Sequence, residues 1–138
     1  MTNEQKNNLV ALALALDAPL PAGITFDMSD FQVKHECGTA ACAVGYAAIL
    51  FKRTAYDGYF MLSKELFGLD VMKSPDNEIW SWLFSGAWTL ADNTKEGAAA
   101  RIRWFLRNGL PADAGQQRYG EAPLCYREGG MKEGAILT

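Results

Sequence analysis

Leucines at 9, 12 and 16 recur at the 3.6-residue spacing of one helix face, so the chain opens with a predicted helix from about Asn3 to Leu16. Thr2, followed three residues later by Gln5, has the form of a capping box, in which side chain and backbone at the helix start satisfy each other. Pro19 and Pro21 end the helix. The stretch Ile24-Thr25-Phe26-Asp27-Met28 alternates and begins with β-branched residues, as a short strand or an extended lead into a turn at Ser29-Asp30 would.

Thr39 reads as an N-cap. From Ala40 to Phe51 only small and apolar residues follow, with Lys52 and Arg53 placed to complement the dipole of a last turn. A helix apolar on nearly every face is a central one, and its alanines and Gly45 invite the close approach of another element. Tyr59 to Phe67 is a short helix closed by Gly68 as a left-handed cap. Ser74-Pro75 opens a further helix, through about Ser85, with Pro75 in the first helical position. Asn93 or Thr94 caps the last clear helix, which carries Ala98, Ile102, Phe105 and Leu106 on one face and stops at Asn108-Gly109.

These patterns define a mainly α fold: a compact single-domain bundle of about five helices spanning residues 1–130, with room for one short strand or hairpin. Residues 112–130, rich in Gly, Pro and charge, would wrap the body as irregular chain, and 131–138 would form a flexible tail. At 138 residues the chain is long enough to bury a core without a disulfide or metal. Its net charge of −3 argues against broad attraction to nucleic acid or an anionic membrane. The longest apolar stretch, Leu9 to Leu16, falls short of the roughly 20 residues a bilayer span needs and lacks a basic leader. A cytoplasmic protein is expected.

The candidate chemistry centres on His35-Glu36-Cys37-Gly38-Thr39-Ala40-Ala41-Cys42. If a helix starts at Thr39, the free N–H groups around Gly38, Thr39, Ala40 and Ala41 offer an anion site, and the dipole lowers the pKa of Cys42. The plainer reading is a capping threonine beside small buried thiols. Three cysteines do not make a disulfide framework, although a Cys37–Cys42 bridge is a further alternative. His35, Cys37, Cys42 and Cys125 have the composition of a tetrahedral zinc set, but their spacing matches zinc knuckles poorly. A cysteine nucleophile would have His35, the chain's single histidine, as its base, yet residues two apart in extended chain point apart. Asp27, Asp30 and Glu36 cluster around the same segment as acids, bases or hard-metal ligands, or more simply as solvated turn residues.

Arg101, Arg103 and Arg107 share the last helix with Trp104, a combination that pairs with phosphate or stacks on bases; the alternative is the basic polar side of an amphipathic helix. Trp80, Trp82, Trp88 and Trp104 are core residues first. Trp80 and Trp82 cannot face the same way on a helix, so one of them, with Arg103 and Arg107, is a candidate partner surface. The signatures of P-loops, paired Cys-x-x-Cys sites and nucleophile elbows do not occur.

Phe26-Asp27-Met28-Ser29, then the run from Cys37 to Ala47, then Ala99-Ala100-Arg101-Ile102 to Gly109, together resemble a group of small uncharacterised proteins of bacteria and their phages. That group carries a Cys-Gly-Thr-x-x-Cys-x-x-Gly-aromatic-Ala motif, and the likeness covers about Ile24 to Pro111. The resemblance implies a phage or mobile-element setting and brings no catalytic residue. The expected function is that of a non-enzymatic accessory protein without a cofactor. It would dock on a host protein, as an anti-defence inhibitor does, or capture a small anionic ligand. The rival is a zinc protein or cysteine-dependent enzyme built on His35, Cys37 and Cys42.

Overall fold

Helix α1 covers Asn3–Asp17, and the capping box forms at its start: Thr2 N–H donates to Gln5 Oε1 and Gln5 N–H to Thr2 Oγ1, at 2.8 and 3.1 Å. The computed structural model describes residues 1–35, 38–121 and 123–127. The tail expected over 131–138 lies outside them.

Three short strands follow, β1 (Ile24–Phe26), β2 (Gln32–His35) and β3 (Gly38–Ala41). They form one sheet in the order β1-β3-β2. β1 runs parallel to β3 with Ile24 opposite Thr39, and β2 runs antiparallel to it with Gln32 opposite Ala41. The stretch from Gly38 to Ala41, expected to begin a helix, is therefore the central strand. The physical reason lies across the sheet: Thr39 N–H donates to Gly23 O at 2.7 Å, and a Cβ on Gly38 would sit 2.3 Å from that same oxygen. Gly38 has φ +139°, which a residue with a side chain rarely adopts.

Helix α2 runs only from Ala43 to Leu50, with Cys42 rather than Thr39 in the cap position. Phe51 closes it and Lys52 turns to φ +53°, so the basic pair lies past the helix. The close approach expected at Gly45 is present: a Cβ there would lie 1.6 Å from Phe31 O, so the turn into β2 rests directly on this helix.

Helix α3 (Tyr59–Phe67) ends at Gly68 with φ +72°, as its sequence requires. Helix α4 (Asp76–Phe84) begins one residue later than the Ser-Pro signal suggests, with Pro75 at the cap position. A single turn, α5 (Trp88–Ala91), precedes α6 (Lys95–Asn108), which Thr94 caps by accepting from Gly97 N–H at 3.0 Å. Asn93, the other candidate cap, instead holds the turn after β1: it accepts from Met28 N–H at 2.7 Å. The chain then wraps the body through a 3₁₀ turn at Gln116–Tyr119 and a last turn, α7 (Leu124–Arg127).

The result is mainly α, as the hydrophobic pattern predicts, with a three-stranded sheet where at most one short strand or hairpin is expected. Helix α1 packs chiefly along α6, and the two run antiparallel, with Lys95 Nζ reaching Leu16 O at 2.8 Å. Leu9, Leu12, Leu16, Val44, Ala47, Leu83, Ala98 and Ile102 meet in the core, together with fully buried Trp82 and Trp88. Among the described residues no helix is long and apolar enough to cross a membrane.

Candidate functional site

The turn between β1 and β2 is fixed from three sides. Asp27 Oδ1 accepts from Ser29 N–H (3.0 Å), Ser29 Oγ (2.8 Å) and Asn93 Nδ2 (3.1 Å). Asp27 N–H donates to Ala41 O, and Asp30 O accepts from Cys42 N–H at 2.8 Å. Hydrogen bonds from Ser29, first from its backbone and then from its hydroxyl, hold the Asp27 carboxyl below its ordinary range.

A turn held this firmly presents Phe31 outward, 37% exposed, to the first residues of α3. Its ring stacks on Tyr59 with centroids 4.7 Å apart and meets Phe60 edge-on at 6.0 Å. Phe60, 49% exposed, then contacts Trp80 at 4.9 Å, Trp80 contacts Phe84 at 6.0 Å, and Phe84 stacks on buried Phe67 at 5.4 Å. Six rings thus run without a break from the surface into the core. Offset and edge-on contacts of this kind add to the burial energy and make the outer rings rigid. Trp80 is further locked by its indole N–H, which donates to Ser63 Oγ at 3.0 Å, while Ser63 Oγ donates to Tyr59 O.

Beside these rings opens a recess of about 230 Å³, lined by Met28, Ser29, Asp30, Phe31, Cys42, Trp80, Phe84 and Gly86. Asp30 and Ser29 supply its polar groups, and the remaining walls are apolar. Cys42 lies at its inner side but offers no nucleophile. Burial pushes the thiol up to about 11, while the N–H groups of Gly45 and Val44 at the start of α2 pull the other way and lose. The thiolate expected from the helix end is thereby reversed, because removal from water costs the charged sulfur more than the dipole returns.

The other sequence candidates are dispersed. Ala40 and Ala41 are buried in the sheet, and with Gly38 and Thr39 they belong to a strand, so the helix start on which the anion site depended lies at Ala43. The side chain of His35, with Glu36 and Cys37, falls outside the described residues. Cys125 is half-buried on α7, and its pKa is raised, first by burial. Among the described residues no three His, Cys, Asp or Glu side chains gather as metal ligands would.

Of the two tryptophans on α4, Trp80 faces the recess and Trp82 is fully buried, donating its indole N–H to Arg101 O at 3.0 Å. Trp82 therefore leaves the partner surface. Arg103 pairs with Asp17, and Arg103 and Arg107 border a separate groove against Val10, Leu14 and Leu106. Arg101, grouped with them by sequence, is completely buried.

Phe31, Tyr59 and Phe60 were not singled out from the sequence. The signal that would have found Tyr59 and Phe60 is the run Tyr59-Phe60-Met61-Leu62, four consecutive apolar residues at a helix start, which wrap more of the helix than one buried stripe can cover; Phe31 has no comparable signal. Comparison of the chain with protein-family models, with curated proteins and with solved structures finds no match.

Proposed function

We propose that this chain is a small non-enzymatic accessory binding protein of the phage or mobile-element type. It acts in the cytoplasm by docking on a host protein, and an anti-defence inhibitor is one form such a protein takes. The observation that carries the reading is the row of rigid, part-exposed rings of Phe31, Phe60 and Trp80 along a recess with a carboxylate at its rim. Aromatic anchors held in place before binding are what protein interfaces use as hot spots.

The partner is a protein that inserts a lysine or arginine side chain into the recess. Its stem would lie on the rings and its charge would meet Asp30, in a chain whose net charge is −3. A photo-crosslinking residue at position 60 would identify the partner in host extract, and binding would then be measured with both proteins purified. Phe60→Ser and Asp30→Asn are each expected to weaken that complex by about tenfold or more, the range of a lost hot spot. A partner that binds both variants as tightly as the parent protein would overturn the assignment of the surface.

A nucleophilic role for Cys42 is disfavoured by its enclosure, which raises the thiol pKa to about 11. Capture of a small anion, by contrast, has an observation of its own at a different place.

A further inference from the structure

Among the described residues, the buried side-chain nitrogens without a hydrogen-bond partner are Arg101 Nε, Arg101 Nη2 and Trp104 Nε1. All three are donors, and Arg101 and Trp104 stand one turn apart on one face of α6. Buried polar groups are nearly always paired, so a set of unpaired donors with no unpaired acceptor among them points to an acceptor that the described residues do not supply.

The rest of the Arg101 guanidinium is well held. Nη1 donates to Tyr126 OH at 3.0 Å and lies 3.4 Å from Asp92 O, and its central carbon sits 4.1 Å above the Trp88 ring. What stays open is the Nε/Nη2 edge, whose two parallel N–H groups fit the two oxygens of a carboxylate or phosphate.

Neighbouring acceptors are committed elsewhere. The Asp92 carboxylate stands 4.0 Å from Nη1 through Oδ2, and its Oδ1 accepts from Thr94 N–H (3.2 Å) and Thr94 Oγ1 (2.7 Å). Its Oδ2 would lie 2.2 Å from a Cβ on Gly97, so the carboxylate packs onto α6 at this glycine rather than against the open edge. Buried Gln117 has its Oε1 taken by Gly115 N–H at 2.9 Å and donates to Ser81 O.

We propose that the Nε/Nη2 edge of Arg101 is a binding site for a small oxyanion, a carboxylate or a phosphate, admitted when the α7 turn carrying Tyr126 lifts from Trp88. Tyr126 ties α7 to this arginine and to the ring beneath it. Its hydroxyl meets Nη1, and its ring centroid lies 5.4 Å from that of Trp88. The site is separate from the aromatic recess and does not rest on the docking reading.

The test uses the full chain with ¹⁵N-labelled arginine. Sodium phosphate and sodium acetate are titrated separately, each at ionic strength matched with sodium chloride, while the assigned Arg101 Nε–H signal and tryptophan fluorescence are followed. A saturable shift of Arg101 Nε–H, with a parallel change in fluorescence from Trp88, is expected for at least one anion. Saturation by phosphate and not acetate assigns a phosphate ligand, and the converse assigns a carboxylate.

Arg101→Lys keeps the charge but loses the fork, and is expected to bind at least about tenfold more weakly. The proposal is overturned if neither anion moves the Arg101 Nε–H signal beyond the chloride control, which would leave water as the acceptor. It is equally overturned if folded Arg101→Lys responds as the parent does. Should Arg101→Lys not fold, the signal in the parent protein decides alone.

Discussion

At Cys42 two influences act on one sulfur in opposite directions, and their balance decides what the residue can do. Enclosure raises the pKa to about 11, against the N–H groups of Gly45 and Val44, so the folded protein holds a neutral thiol at pH 8. A thiol reagent such as Ellman's is therefore expected to modify Cys42 only on the timescale of unfolding. Comparing the parent with Cys42→Ser, native and in denaturant, checks this; fast native modification of Cys42 would contradict the burial argument. Burial also raises Tyr126 from 10.0 to about 12. Both groups keep their proton in the folded chain at a pH where the unfolded chain has lost it. Stability is thus complete below pH 9 and falls as pH rises, between about 9 and 11 for Cys42 and between about 10 and 12 for Tyr126. Each unit of separation is worth about 1.4 kcal/mol. Urea midpoints across pH 8 to 12 should fall, and Cys42→Ser should remove the earlier part of the decline.

Elements whose signals are local formed as their sequences indicate. The Thr2/Gln5 box, Gly68 with its positive φ, and the Thr94 cap each act within a few residues of their own position. Thr2→Ala is expected to cost about 1 kcal/mol in urea denaturation, the usual value of a lost cap. β3 shows the opposite case. Gly-Thr-Ala-Ala has no strong preference of its own, and the same residues that would begin a helix become a strand because β1 and β2 lie on either side. The helix then starts where the sheet ends, and Gly45 becomes the point at which the Phe31 backbone crosses it. Gly45→Ala is expected to destabilise by about 2–3 kcal/mol, as overpacking does, although alanine favours an isolated helix. A gain in stability from this substitution would show that the turn at Phe31 does not press on α2.

Across the whole molecule, apolar side chains divide between a core and a face. Leu12 is fully buried between α1 and its neighbours, and Leu12→Ala is expected to cost about 3 kcal/mol. Phe60 is half exposed, so Phe60→Ser should change stability by no more than about 1 kcal/mol while abolishing most of the docking. Circular dichroism with urea titration of the two variants separates these roles. A Phe60 variant as unstable as the Leu12 variant would make the outer rings part of the core rather than a surface held ready for a partner.

The amino-acid sequence by itself determined where α1, α3, α4 and α6 lie to within a residue or two, because 3.6-residue spacing, caps and Gly or Pro stops are written in neighbouring residues. It also determined that one of Trp80 and Trp82 must face outward. Only the tertiary structure decided which one, and it decided three further matters: the strand at Gly38–Ala41, the neutral thiol of Cys42 and the burial of Arg101. Each of these depends on what lies across space: a carbonyl of Gly23, a layer of apolar side chains, the ring of Trp88. Those partners are far apart in the chain, so no pattern of near neighbours records them.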